Sequence, residues 1–274
     1  MKNSYKLVAI DLDGTLLRSD DTLSQRSAAA LRHLRRQNIP IVICTGRGPR
    51  DLKPILAEIS DADDRILCNG ALVCSRGTRV VHGFESSDVF EIIHFLHENG
   101  CDAVIQDAEG IRYARPFQQI NEAYHFVEPV LRARVRIVEN FSSPFQHPII
   151  RVSAWTTRER AESLYGNYQQ KFTGKYNAYL FDYAFWVFEM LNAQATKAKA
   201  LGLIAERTGI LPSHIVAFGD GMNDVEMLRW AGLGIAMSNG DPLALAAADR
   251  IAPSNNEDGV AQLINELFPS VQSD

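Results

Sequence analysis

Cysteine is scarce: Cys44, Cys68, Cys74 and Cys101 are the four in 274 residues. No two are spaced C-x-x-C, and Cys44 and Cys68 sit inside apolar runs, which excludes a disulfide framework and points to buried, reduced thiols. A basic excess is also missing, since 28 Lys and Arg against 33 Asp and Glu leave a net charge of -5. Neither nucleic acid nor an anionic membrane surface is therefore an expected partner. No apolar stretch approaches the roughly 20 residues that a membrane helix needs. The first residues, with Lys2 and Lys6 around Asn3 and Ser4, lack the apolar centre of a secretion signal, so the sequence predicts a cytoplasmic protein. Internal repeats and low-complexity segments are absent too. What is present is an ordinary globular composition, 46% hydrophobic and 22% charged, long enough for one large domain or two ordinary ones.

Short apolar runs alternate with amphipathic stretches, the pattern of strand-helix-strand units. Residues 7–10 predict a buried strand and residues 24–37 a helix with Ala28, Leu31 and Leu34 on one face. Strands at 39–44 and 65–68 enclose a second helix at 49–59, and 72–74 with 79–81 read as a hairpin about Arg76 and Gly77. From about His82 the rhythm changes. A helix at 88–98, with Asp88 and Glu91 spaced as a capping pair, precedes short strands at 101–105 and 111–114, then at 149–155, 178–181 and 185–190, with a helix at 158–172. Antiparallel hairpins with helices on one side imply an α+β module. The first rhythm then resumes with a helix at 197–208, a strand at 214–218, a helix at 223–231, strands at 234–237 and 250–252, and a closing helix from Gly259. The expected architecture is one α/β domain from residues 1–83 and 187–274, with a module of residues 84–186 inserted into it.

In an open parallel sheet, residues that follow the strands share one edge. Three predicted strands end in reactive groups: Asp11 and Asp13 in "DLDGT", Thr45 and Gly46 in "TGR", and Asp220, Asn223 and Asp224 in "GDGMND". If these strands are neighbours, the carboxylates converge and repel, and a hard divalent cation with oxygen ligands relieves them; Mg²⁺ fits. Plainer roles also exist. Asp11 to Thr15 can be a tight turn, and Asn223 can cap the next helix with Glu226 completing a capping box. Lys197 and Lys199 can be solvated, as can Arg132, Arg134 and Arg136. His94 and His97 share a helix face without a third ligand nearby.

In this order and setting, "DLDGT", "TGR", the lysine of "TKAKAL" and "GDGMND" resemble the motifs of the haloacid dehalogenase superfamily. "CNGALV", "AMSNG" and "SNNEDGVA" narrow the resemblance to its Cof-type, sugar-phosphatase-like branch. It covers about residues 5 to 83 and 187 to 266. It implies a Rossmann-like parallel-sheet core with helices on both faces, plus an inserted α+β cap domain that closes over the site and supplies the leaving-group pocket. It implies further that Asp11 is the nucleophile and Asp13 the general acid and base. Thr45, with Gly46 beside it, binds a phosphoryl oxygen, and Lys197 neutralises charge between Asp11 and phosphate. Mg²⁺ is held by the Asp11 carboxylate, the Asp13 backbone carbonyl and Asp220, while Asn223 and Asp224 orient the phosphate and Lys197. Arg47 and Asn69 are expected on the cap side of the cleft. One departure stands out: the glycine usual after the motif lysine is Ala198 here, and Asn192 to Thr196 lacks the usual glycine.

The implied reaction is hydrolysis of a small phosphate monoester, such as a sugar phosphate, through an aspartyl-phosphate. A phosphomutase of the same superfamily and a non-catalytic phosphometabolite-binding protein are the alternatives. A carbon-halogen hydrolase fits less well, because Asp13 supplies an acid that alkoxide departure needs and halide departure does not. The module offers Arg112, Tyr113, Arg115 and Asp182 as candidates for substrate discrimination, and nothing in the sequence ranks them.

Overall fold

In a computed structural model, which describes residues 5–56, 64–114, 135–139, 141, 145–182 and 186–269, the opening apolar run forms strand β1 (Leu7–Ile10), all four residues buried. A strand apolar on both faces belongs in the middle of a parallel sheet. β1 pairs in parallel with β2 (Ile41–Cys44) on one side and β12 (Ile215–Gly219) on the other. The sheet has eight strands. Beyond β12 lie β13 (Leu233–Met237) and β14 (Arg250–Ala252), and beyond β2 lies β3 (Asp64–Leu67), all parallel. The antiparallel β4 (Leu72–Ser75) and β5 (Thr78–Val81) complete the other edge.

Helices flank this sheet. α1 (Gln25–Arg36) starts where the Ser24 side chain accepts the Ser27 N–H, buries Ser27, Ala30, Leu31 and Leu34, and carries Arg35 and Arg36 at its C-terminal end, where cations suit the helix dipole. α2 spans Pro49–Leu56. α5 (Lys197–Thr208) begins at Thr196, whose hydroxyl accepts the Lys199 N–H, and ends on left-handed Gly209. α6 (Val225–Trp230), α7 (Pro242–Ala247) and α8 (Gly259–Leu267) follow the later strands. α7 escaped the sequence analysis: it has six residues, with an Asp241 cap and Pro242 at its first position.

The chain divides into two compact units, Met1–Val80 with Thr196–Asp274, and Val81–Ala195. The second contains a six-stranded sheet in the order β10-β11-β9-β6-β7-β8, from β6 (Val104–Asp107), β7 (Arg112–Ala114), β8 (Val135–Ile137), β9 (Ile149–Thr156), β10 (Tyr176–Asp182) and β11 (Trp186–Asn192). Its pairings are antiparallel except β7 with β8. α3 (Ser86–Glu98) and α4 (Arg158–Lys171) share one hydrophobic core with the sheet, in which Phe95, Tyr168, Phe172 and Phe188 are buried. Phe95 meets Phe172 edge-on at 5.1 Å, an arrangement that ring quadrupoles favour.

Three sequence expectations change here. The boundary expected at residue 186 moves to Ala195, because β11 pairs along its length with β10 and lies beside β9. Asp88 and Glu91 do not cap α3; both accept the Tyr176 hydroxyl, at 2.7 and 2.9 Å, and both pair with Lys175. Asn223 does not cap the helix that follows it. It lies in a tight helical turn, Met222–Asp224, and α6 starts at Val225 with no side-chain cap bond. The four cysteines are free thiols.

Candidate active site

Because β1, β2 and β12 are parallel neighbours, their C-terminal ends deliver Asp11, Thr45 and Asp220 to the same edge of the sheet. Beyond Asp11 the backbone enters a tight helical turn over Leu12–Leu16, broken by extended Asp13 and left-handed Gly14. Gly14 is required on two counts. Its φ is +78°, and a Cβ there would lie 2.2 Å from Asp220 Oδ2. On the same turn the Thr15 hydroxyl donates to Asp220 Oδ1 at 2.6 Å.

Lys197, the first residue of α5, is fully buried, and its Nζ donates to Asp11 Oδ1 and Asp224 Oδ1, each at 2.6 Å. Burial works against the ammonium form, but the Asp11 and Asp224 carboxylates outweigh it, so Lys197 stays charged with its pKa above the ordinary lysine value. The second oxygen of Asp224 accepts the backbone N–H groups of Asp220 and Gly221, each at 3.0 Å. Asp224 thus ties the lysine to the loop that carries Asp220. Ala198, where the family's pattern has glycine, is buried in the packing of α5.

Carboxylates of Asp11, Asp220 and Asp224 offer oxygens within 4.8 Å of one another. One ammonium does not balance them. Asp11 is pushed well above the usual carboxylate range, first by burial, which Lys197 opposes and Asp224, Asp220 and Asp13 reinforce. Burial and then Asp224 push Asp220 up to about 6, against the Thr15 hydrogen bond and Lys197. A surplus of buried negative charge on these carboxylates fits a hard divalent cation. Both Asp224 oxygens are already engaged, so Asp11 and Asp220 are the carboxylates that suit it.

Asp13 follows Asp11 at the same end of β1, and its charge adds to the upward push on both Asp11 and Asp220. The chain leaves the strand register after Asp11, and the Asp13 carboxylate, 46% exposed, is gripped by the Arg47 guanidinium, whose Nε lies 3.0 Å from both oxygens. Arg47 also reaches Asp21 Oδ1 at 2.5 Å. Its backbone N–H donates to Thr45 Oγ1 at 3.0 Å, and Thr45 is fully buried. Asn69, expected on the cap side of the cleft, is 1% exposed and accepts Asn223 Nδ2 at 2.8 Å.

Three supports went unassigned in the sequence, although two lie in the lesser motifs. Asn239 of "AMSNG" donates to the Gly14 carbonyl at 2.9 Å and accepts the Asn255 N–H at 3.0 Å. Asn255 of "SNNEDGVA" donates to the Leu17 carbonyl at 2.9 Å. The Asp241 N–H donates to the Asp220 carbonyl at 2.7 Å. Of the candidates in the inserted unit, Arg112 is buried, the Tyr113 hydroxyl donates to Asp107 at 3.0 Å, and Asp182 is exposed at the end of β10. Arg136 is exposed on β8, while Arg115, Arg132 and Arg134 lie outside the described residues.

Comparison with known proteins gives the same picture from outside. YxeH of Bacillus subtilis is 30% identical over 268 residues, covering 96% of this chain and 98% of its own. The 5-amino-6-(5-phospho-D-ribitylamino)uracil phosphatase YbjI of Escherichia coli is 28% identical over 271 residues, covering 97% of each chain. Among solved structures, a haloacid dehalogenase-like hydrolase from Bacillus subtilis superposes with a TM-score of 0.80 over 96% of this chain and 99% of that one, at 24% identity, a likeness of fold. The family model described as haloacid dehalogenase-like hydrolase matches residues 8–264. With strands, motifs and relatives in agreement over nearly its whole length, the chain belongs to the haloacid dehalogenase-like hydrolases, and within them it is a phosphatase.

Proposed function

We propose that this phosphatase is Mg²⁺-dependent and hydrolyses small phosphate monoesters, sugar phosphates or similar metabolites, through a phosphoryl group carried on Asp11. The observation that carries the reading is the buried Lys197 shared between Asp11 and Asp224 at 2.6 Å each. It supports Asp11 as a carboxylate held ready beside fixed positive charge. The substrate class also draws support from YbjI, which is named for an ester of this size.

Asp11 and Asp220, with the backbone carbonyl of Asp13, would hold the cation. Mg²⁺, when bound, supplies positive charge against the carboxylates and the substrate phosphate. The need is quantitative: at roughly 4 Å and an effective dielectric near 20, each pair of unit charges interacts by about 4 kcal/mol. Lys197 meets part of it from the protein side. An Asp11 oxygen attacks phosphorus while Asp13 gives a proton to the departing alkoxide; Asp13 then takes a proton from the water that hydrolyses the acyl phosphate. Thr45 and Asn223 bind phosphoryl oxygens, and catalysis consists mainly of positioning and electrostatics. Arg47 holds the Asp13 carboxylate at the exposed side of the site.

The test uses the two aspartates. Asp11→Asn is expected to abolish turnover and any phosphoenzyme. Asp13→Asn is expected to lose far more on a sugar phosphate than in the first step with p-nitrophenyl phosphate, whose phenolate leaves without protonation. Acid-quenched Asp13→Asn enzyme should then carry a phosphoryl group on Asp11 by mass spectrometry. Label on another residue, or full turnover in excess chelator, would refute the reading.

A further inference from the structure

At the end of β3 two consecutive residues that carry a Cβ, Cys68 and Asn69, hold left-handed backbone, with φ of 50° and 55°, ahead of Gly70 at φ 100°. Such conformations persist where the surroundings over-determine them, and they cluster at functional sites. Here the surroundings are the other site loops. The Asn69 N–H donates to the Thr45 carbonyl at 3.1 Å and the Cys68 N–H to the Arg47 carbonyl at 3.1 Å. Gly70 packs so closely on the residue before Lys197 that a Cβ would lie 2.3 Å from the Thr196 carbonyl oxygen.

The Asn69 side chain extends this bracing. Its Oδ1 accepts Asn223 Nδ2 at 2.8 Å, and the same oxygen would sit 3.1 Å from a Cβ on Gly46, so the amide lies against the Thr45–Gly46 turn. Asn223 Oδ1 is meanwhile turned toward Gly221, where a Cβ would lie 2.6 Å from it. An amide flipped end for end would lose the bond to Asn69. Held as it is, Asn223 keeps a second N–H hydrogen for a ligand, and a donor is what a phosphate dianion requires.

We propose that Asn69 is a positioning residue for phosphoryl transfer: its left-handed backbone and buried amide fix Asn223 as a donor to the substrate phosphate. The inference rests on the phosphate-site reading given above. Asn69 acts through Asn223, so the two substitutions are not independent.

A double-mutant cycle on the full chain tests this, with p-nitrophenyl phosphate as substrate and inorganic phosphate as competitive inhibitor. Asn223→Ala is expected to lower kcat/KM by about 100-fold, in the range found for removing one fixed donor. Asn69→Gly keeps the left-handed backbone and is expected to lose about tenfold, chiefly as a higher KM matched by weaker phosphate inhibition, the mark of lost phosphate binding. The double variant should be no worse than Asn223→Ala alone. Asn69→Ser, too short to reach Asn223, should repeat the pattern, with melting temperatures recorded throughout. Wild-type kinetics in Asn69→Gly, losses that multiply in the double variant, or failure of both Asn69 variants to fold would overturn the proposal. Wild-type kinetics in Asn223→Ala would overturn the phosphate-site reading itself.

Discussion

The two units of the chain bury different things. At the sheet edge of the first, Asp11, Thr45, Lys197 and Asp224 are each 4% exposed or less, and one ammonium serves two carboxylates with Asp220 alongside. The second packs aromatic rings, and its buried Glu189 pairs with Arg151 at 3.0 Å on the neighbouring strand. A ring cluster carries no charge for a ligand, whereas the carboxylate cluster of Asp11, Asp220 and Asp224 does, and the proposed chemistry is built on it.

Lys197→Met should break the contrast most severely. It leaves two buried carboxylates uncompensated, so activity should fall below detection and stability by about 3–5 kcal/mol, the cost of stripping one partner from a buried pair. Denaturant unfolding and turnover assays read both. Phe95→Ala in the second unit should separate the two properties. It should cost about 3–5 kcal/mol as a large core truncation, while turnover of p-nitrophenyl phosphate, assayed well below the melting temperature, stays near wild type. An equal loss of activity would erase the distinction.

The smallest effect sharpens the charge argument. The Asp220 carboxyl lies at about 6 in the fold against an ordinary 3.8, so between those values the folded chain binds more protons than the unfolded one. Its contribution to stability is complete below the lower value and lost as pH rises through the upper. Without divalent cation, the wild type should therefore lose melting temperature from pH 5 to pH 7 relative to Asp220→Asn. The gain on adding Mg²⁺ should be larger at pH 7.5 than at pH 5. A difference of about 2–4 °C, equivalent to about 1 kcal/mol at this size, is within reach of scanning calorimetry.

Much of this was legible in residue order. Buried runs such as Leu7–Ile10 announce central parallel strands, and the motif residues follow such runs immediately, so their shared edge could be read before any coordinates. Lys197 was placed at the first position of its helix because the apolar spacing of α5 begins there. Partners across long separations could not be read. Asn69 and Asn223 are distant in sequence, and nothing local distinguishes a buried asparagine that grips another from one that faces a ligand. The Arg47 partner of Asp13 was equally out of reach of local pattern, since it follows a different strand. The boundary at residue 186 cut into a strand that the hairpin rhythm had already assigned to the inserted module, and the pairing of β11 with β10 keeps it there.

The discontinuity of the first unit bears on how the molecule is made. Leu7 is synthesised long before Ile215, yet lies next to it in the finished sheet. The contiguous second unit, between Val81 and Ala195, is synthesised in full before β12 exists. During translation β1 therefore waits with one flank unpaired, an apolar edge open to other chains, while the later unit assembles. Slow synthesis exposes that edge for longer, so the yield of folded enzyme in a cell should depend on how quickly residues 196–219 follow and on chaperones that cover the edge until they arrive.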